Sequence, residues 1–332
     1  MSKQKSSSDE SILDRIKPWG LFFLAYTVSS VGAVTAFHTL TPPPLLKEDQ
    51  TTMWRLNPGY EGSSTTDYES ESATIDHRGL RITPGSELSS PPKQRILTIG
   101  DSFTFGWGVR DADTWPAQIQ ALLNDRAPGN FQVINAGFPG CTSFQARKAF
   151  DGWIQEHKPS MLILLLGRND NRRALATDES VYPYLRRKPA AANYVFPLMF
   201  LNYQTLQKFF KFRKATPVSR VDAEDFERYI RQMTRRAHRQ GIDIILMEHW
   251  TQGKRSTRRL AKQNDIAWIN SPRLLREAEK EQGKSLFIKA HHHPNADGYA
   301  VLARELATRL LPRQLLPAPP PSSKAEPEET TP

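Results

Sequence analysis

Four short segments hold the residues whose types and spacing could do chemistry. The first is Gly100-Asp101-Ser102-Phe103-Thr104-Phe105-Gly106, which follows a β-branched run and places Ser102 where a strand turns into a helix. A serine at such a turn exposes its hydroxyl above the sheet edge. The helix start behind it offers backbone N–H groups and a partial positive charge, both useful to a developing oxyanion. Asp and Ser are also ordinary helix caps, which explains either residue alone just as well. The second segment, Asn135-Ala136-Gly137-Phe138-Pro139-Gly140-Cys141-Thr142, reads as a glycine-permitted turn. The third, Gly167-Arg168-Asn169-Asp170, puts a side-chain amide after a strand, either as a donor or as a turn cap. The fourth, His291-His292-His293-Pro294-Asn295-Ala296-Asp297-Gly298, holds a histidine in a loop before a helix, where it could serve Ser102 as general base.

The elements around these segments alternate. Arg95–Gly100, Phe131–Asn135, Met161–Leu166, Ile242–Met247 and Ile266–Ile269 read as strands; Met161–Leu166 is a continuous apolar run, as for a strand buried on both faces. Trp115–Asn124, Phe144–Glu156, Asp222–Gln240, Ser256–Gln263 and Ala296–Leu311 read as helices. Strands alternating with helices predict a parallel sheet covered on both faces. Ligands in such sheets lie beyond the carboxyl ends of the strands, where three of the four segments fall.

Composition narrows the classes. Of 332 residues, 38% are hydrophobic and 24% charged, enough for a packed core. The single cysteine, Cys141, excludes an intramolecular disulfide and a cysteine-based zinc cluster. Three consecutive histidines suggest a metal, and in extended chain His291 and His293 would share a face, but no matching ligand spacing accompanies them, so neither metal nor cofactor is expected. Nine of the ten net positive charges fall between Arg168 and Arg239, which carries 16 Lys and Arg against 7 Asp and Glu. No nucleic-acid motif accompanies that excess, so no nucleic-acid partner is expected.

In this order along the chain, GDSFTFG, the Gly140 turn, GRND and HPNADG resemble the SGNH (GDSL-type) hydrolase family over roughly residues 94 to 311, and ATIDHRGLR resembles a lead-in found in some members. The resemblance implies a three-layer α/β/α sandwich with a five-stranded parallel sheet, flavodoxin-like. It also implies Ser102 as nucleophile, His293 as base, and an oxyanion hole made by the N–H groups of Ser102 and Gly140 with the amide of Asn169. The reaction would be acyl transfer to Ser102 and release to water. One departure stands out. The family usually has an aspartate three residues before the base, or two in some branches, and here those positions are Ala290 and His291. That leaves a Ser–His dyad, a carboxylate from elsewhere, or a weak or inactive binding or assembly protein as readings.

The flanks set further expectations. Trp19–Phe37 is a run of nineteen uncharged residues with Lys3, Lys5, Arg15 and Lys17 before it. It reads as a transmembrane helix with a cytoplasmic tail over 1–18, or as a cleavable signal peptide ending near Val34-Thr35-Ala36. Either puts the body of the chain on the extracytoplasmic side, with the membrane as a partner; a buried core helix, the third reading, would not. Residues 38–93 read as a linker and lead-in, with Glu61–Ser72 as loop; 94–312 as the hydrolase domain; 190–216 as an inserted lid or membrane-resting surface; 313–332 as a disordered Pro-rich tail. The expected substrate is an acyl ester, an O-acyl group of an envelope glycan or a lipid, with transfer to another hydroxyl as an alternative to hydrolysis.

Overall fold

The computed structural model describes residues 45–65, 71–87, 91–187, 217–249 and 257–314, with 311–314 as backbone only. In chain order the strands are β1 (Leu46–Asp49), β2 (Met53–Leu56), β3 (Glu61–Ser63), β4 (Ser72–Thr74), β5 (Gln94–Gly100), β6 (Phe131–Asn135), β7 (Met161–Leu165), β8 (Arg173–Ala174), β9 (Val218–Ser219), β10 (Asp243–Glu248) and β11 (Ala267–Asn270). The helices are α1 (Ser102–Phe105), α2 (Trp115–Arg126), α3 (Ser143–His157), α4 (Asp178–Arg187), α5 (Ala223–His238), α6 (Thr257–Gln263), α7 (Ser271–Gln282) and α8 (Ala296–Gln314).

Five strands form one parallel sheet in the order β11-β10-β7-β5-β6. Side chains alternate between its faces. Leu97, Ile99, Leu162, Leu164 and Leu246 pack with α3, α5 and the lead-in residues Trp54, Leu56 and Ile75. Ile96, Met161, Ile163, Leu165, Ile245 and Met247 pack with α2, α7 and α8. This is the expected α/β/α sandwich. Every residue of β7 is buried, which accounts for its unbroken apolar run; each such side chain contributes about 1.5–3 kcal/mol through removal from water.

The strand order reverses at β5. The chain passes from β5 outward to β6, then crosses back to β7 on the other side of β5. Such a reversal opens a crevice at the carboxyl ends of the two strands that part, here β5 and β7. The segments bearing Ser102 and Asn169 follow these two strands.

Several expectations need correction. Glu61–Ser72 is not all loop, because β3 pairs with β4 as an antiparallel ribbon. α7 was not foreseen, although Asn270 caps it, Pro272 stands in its first turn and Gly283 ends it. α4, also unforeseen, tolerates Pro183 within it. The transmembrane helix, the membrane as partner and the extracytoplasmic placement are corrected as well: among the described residues no helix is long and apolar enough to cross a membrane. The run 19–37 on which that expectation rested lies outside the described residues, as do the insertion 190–216 and residues 315–332 of the tail.

Candidate active site

Ser102 is the first residue of α1. Asp101 before it is extended, and its buried carboxylate accepts a hydrogen bond from the Phe103 N–H at 3.0 Å, capping the helix. That arrangement lifts the Ser102 hydroxyl out of the sheet edge with its own backbone N–H at the helix start. The imidazole of His293 meets it, with Nε2 2.7 Å from the Ser102 Oγ across 191 positions of chain. The ring is clamped by Phe103 and Trp107, with centroids at 4.8 and 6.2 Å. Burial, reinforced by the neighbouring His291 ring, pulls the His293 pKa down to about 3. The imidazole is therefore neutral at physiological pH and has a lone pair to offer.

Gly140 sits at the tip of the turn after β6 with φ 76°, a left-handed conformation that glycine adopts without strain. The turn is pinned from behind. Its Gly140 carbonyl accepts from Arg220 Nη1 at 2.8 Å, and the Pro139 carbonyl accepts from Trp54 Nε1 at 3.2 Å. Arg220 is itself buried in a salt bridge to buried Asp178 at 2.8 Å, and Asp178 takes a further hydrogen bond from the Thr142 hydroxyl at 2.7 Å. Among the described residues, neither the Ser102 nor the Gly140 N–H is used in a backbone hydrogen bond.

Asn169 reaches the same place with its hydrogens committed. Its Nδ2 donates to Asp101 Oδ2 at 3.0 Å and to the Cys141 carbonyl at 3.3 Å. The amide thereby ties the Ser102 turn to the Gly140 turn. Asp170 next to it turns inward and caps α3, accepting from the Ser143 N–H and hydroxyl. Burial raises the Asp170 pKa to about 6 against these hydrogen bonds.

Two histidines were missed as parts of this site. His249 directly follows β10 and is 2% exposed; its Nε2 lies 3.3 Å from both carboxylate oxygens of Asp101. Burial pushes the Asp101 carboxyl up, but His249, the Phe103 N–H and His293 outweigh it, leaving the group below its ordinary range. The position of His249, just past a strand of the parallel sheet, was the signal that could have found it. His291 is the second. Its Nδ1 lies 3.0 Å from the His293 Nδ1, so the second nitrogen of the proposed base faces a ring and not a carboxylate. The two rings meet edge to face, with centroids 4.8 Å apart. Among the described residues no group of three or more His, Cys, Asp or Glu is arranged to hold a metal.

A parallel five-stranded sandwich with a serine just after β5 and a histidine from the loop before α8 defines a class. Residues 98–301 match the GDSL-like Lipase/Acylhydrolase family, and the chain belongs to it. Among curated relatives, the Thioesterase 1/protease 1/lysophospholipase L1 of Escherichia coli is 31% identical over 85 residues, 26% of this chain and 39% of that protein. Esterase TesA of Pseudomonas aeruginosa is 31% identical over 83 residues, 25% of this chain and 41% of that protein. The chain thus spans about two-fifths of the length of these relatives. Among solved structures, TesA aligns over 66% of this chain and 99% of its own at 18% identity and a TM-score of 0.44. An acetyl xylan esterase from Geobacillus stearothermophilus aligns over 65% and 94% at 17% identity and a TM-score of 0.43.

Proposed function

We propose that this chain is a serine esterase that cleaves acyl esters through an acyl-enzyme on Ser102. The observation that carries the reading is the 2.7 Å contact between His293 Nε2 and Ser102 Oγ, hydrogen-bond distance between a nucleophile and its base. His293 Nε2 takes the hydroxyl proton as Ser102 Oγ bonds to the carbonyl carbon. The carbonyl electron pair moves onto oxygen, beside the Ser102 and Gly140 N–H groups. Collapse expels the alkoxide, which leaves with the proton from His293. Water then repeats the sequence against the acyl-serine and frees the acid. Asn169 joins the donors when its amide hydrogen leaves the Cys141 carbonyl for the oxyanion, the longer of its two bonds being the one given up. Loss of one such donor typically costs on the order of 100-fold in turnover. Residues 94–312 would form the catalytic body, with the lead-in strands bracing it.

The test is labelling by a fluorophosphonate, together with hydrolysis of p-nitrophenyl acetate. The wild-type chain labels and turns over, and Ser102→Ala does neither. A folded wild-type chain that resists the probe overturns the reading and favours a non-catalytic binding role.

A further inference from the structure

We propose that His291 is the positioning residue of the site, its Nδ1 accepting the Nδ1–H of His293 in the place where related enzymes have a carboxylate. The inference rests on the esterase reading above and deepens it. Its basis is the 3.0 Å contact between the two Nδ1 atoms. One hydrogen occupies that contact, and its owner fixes the chemistry. If His293 carries it, the His293 Nε2 is bare and can accept the Ser102 proton. If His291 carries it, His293 must bear its own proton on Nε2, which then donates to Ser102 and cannot act as base.

The fold is built to hold this pair. His292 between the two rings has φ 56°, so the chain reverses its twist there and brings its neighbours' rings together. The backbone is closed by hydrogen bonds from the Ile288 N–H to the His293 carbonyl at 2.8 Å and from the His292 N–H to the Ile288 carbonyl at 2.9 Å. The Cε1–Nε2 edge of His291 lies against Gly108, where a methyl group would come within 2.9 Å of both atoms. No proton moves onto His291 in the cycle. It receives a hydrogen bond, and the proton travels from Ser102 to His293 Nε2 to the leaving group. The groups facing His293 are the ring and the backbone carbonyl of His291 in its own loop, Asp101 ahead of α1 and His249 after β10.

A neutral acceptor orients the ring without adding a negative charge, which separates His291 from an aspartate by experiment. Steady-state kinetics over pH 4–9 would be compared for wild type, His291→Ala, His291→Asp and the control His292→Asn, each checked for wild-type melting. His291→Ala should lower kcat by about 10- to 100-fold with KM nearly unchanged, less than the roughly 10⁴-fold loss seen where a charged partner is neutralised. His291→Asp should recover most of that loss. It should also move the acid limb of kcat/KM upward by about 1–3 pH units, because a carboxylate favours imidazolium. His292→Asn should match wild type. Wild-type kcat in His291→Ala, or an unmoved acid limb in His291→Asp, overturns the proposal. Ring ¹⁵N resonances of the wild-type chain decide it without any turnover: His293 must be protonated at Nδ1 and bare at Nε2 near neutral pH, and the opposite tautomer overturns it. Should the chain fail to take the fluorophosphonate, the esterase reading falls while the ¹⁵N result still judges the pair.

Discussion

At Asp101 one buried carboxylate gathers a helix N–H, an amide and an imidazole, and its neighbour Ser102 inherits the rigidity. The histidine that meets Ser102 is neutral down to about pH 3. If the bare imidazole is the base, as proposed, kcat/KM should stay level from pH 8 down to about 5, whereas an unperturbed imidazole near 6.5 would already lose most of it. A pH-jump assay with p-nitrophenyl acetate reads this directly. Gly108 supplies a second expectation at this scale. Its φ is +86°, and a methyl group there would meet Ile288 and the His291 ring at 2.8–2.9 Å. Gly108→Ala should therefore cost about 1–2 kcal/mol of stability from the left-handed backbone and lower kcat as well, measured by denaturant titration beside kinetics. Ser102 and its neighbours were legible because their segments fall after strands in a fixed order. His291 was not: its place two residues before His293 is plain in the chain, but the meeting of rings depends on the left-handed His292 and on the room that Gly108 leaves.

The elements that carry the site are held by buried charge as much as by apolar packing. Arg220 reaches the turn after β6 from the far end of the insertion, with Asp178 as counter-ion. Removing one member of such a pair leaves the other buried and uncompensated, so Arg220→Met should destabilise the chain by about 3–5 kcal/mol. The double replacement Arg220→Met with Asp178→Leu should recover much of that loss in urea unfolding. It should not recover turnover, because the Gly140 carbonyl still lacks its anchor. The five central strands were readable as short β-branched or apolar runs flanked by turn residues. α4 was not, since a proline stands inside it, and β3 and β4 were not, since Gly and Ser fill half of the ribbon and pairing decides their state. Arg220 and Asp178 lie 42 positions apart, and no local pattern announces that they pair.

Across the whole molecule, a buried carboxyl and a half-buried imidazole pull the pH dependence of stability in opposite directions. Asp170 has its pKa raised from 3.8 to about 6, so the folded chain holds a proton that the unfolded chain has shed. Its contribution is fully present below pH 3.8 and is lost as pH rises through 6, a span of about 3 kcal/mol. His293 is lowered from 6.5 to about 3, so its contribution is present above 6.5 and lost as pH falls through 3. Between pH 4 and 6 the two slopes oppose one another. Asp170→Asn should unmask a rise of stability with pH over that window, and His293→Leu a fall, each read as the difference from wild type in guanidinium unfolding. The sandwich itself was legible from alternation alone. The titrating interior was not, because burial depth is a property of the packed body.

The contact between Ser102 and His293 has a consequence for a chain being made on the ribosome. The hydroxyl and its helix emerge early, and the lead-in arginine can grip their carbonyls at once, since Arg81 binds Phe105, Gly106 and Val109 within 28 positions. The imidazole follows 191 residues behind the serine. A nascent polypeptide therefore carries an isolated alcohol while the 191 residues after it are added, and the proposed base reaches it only once the loop before α8 is in place.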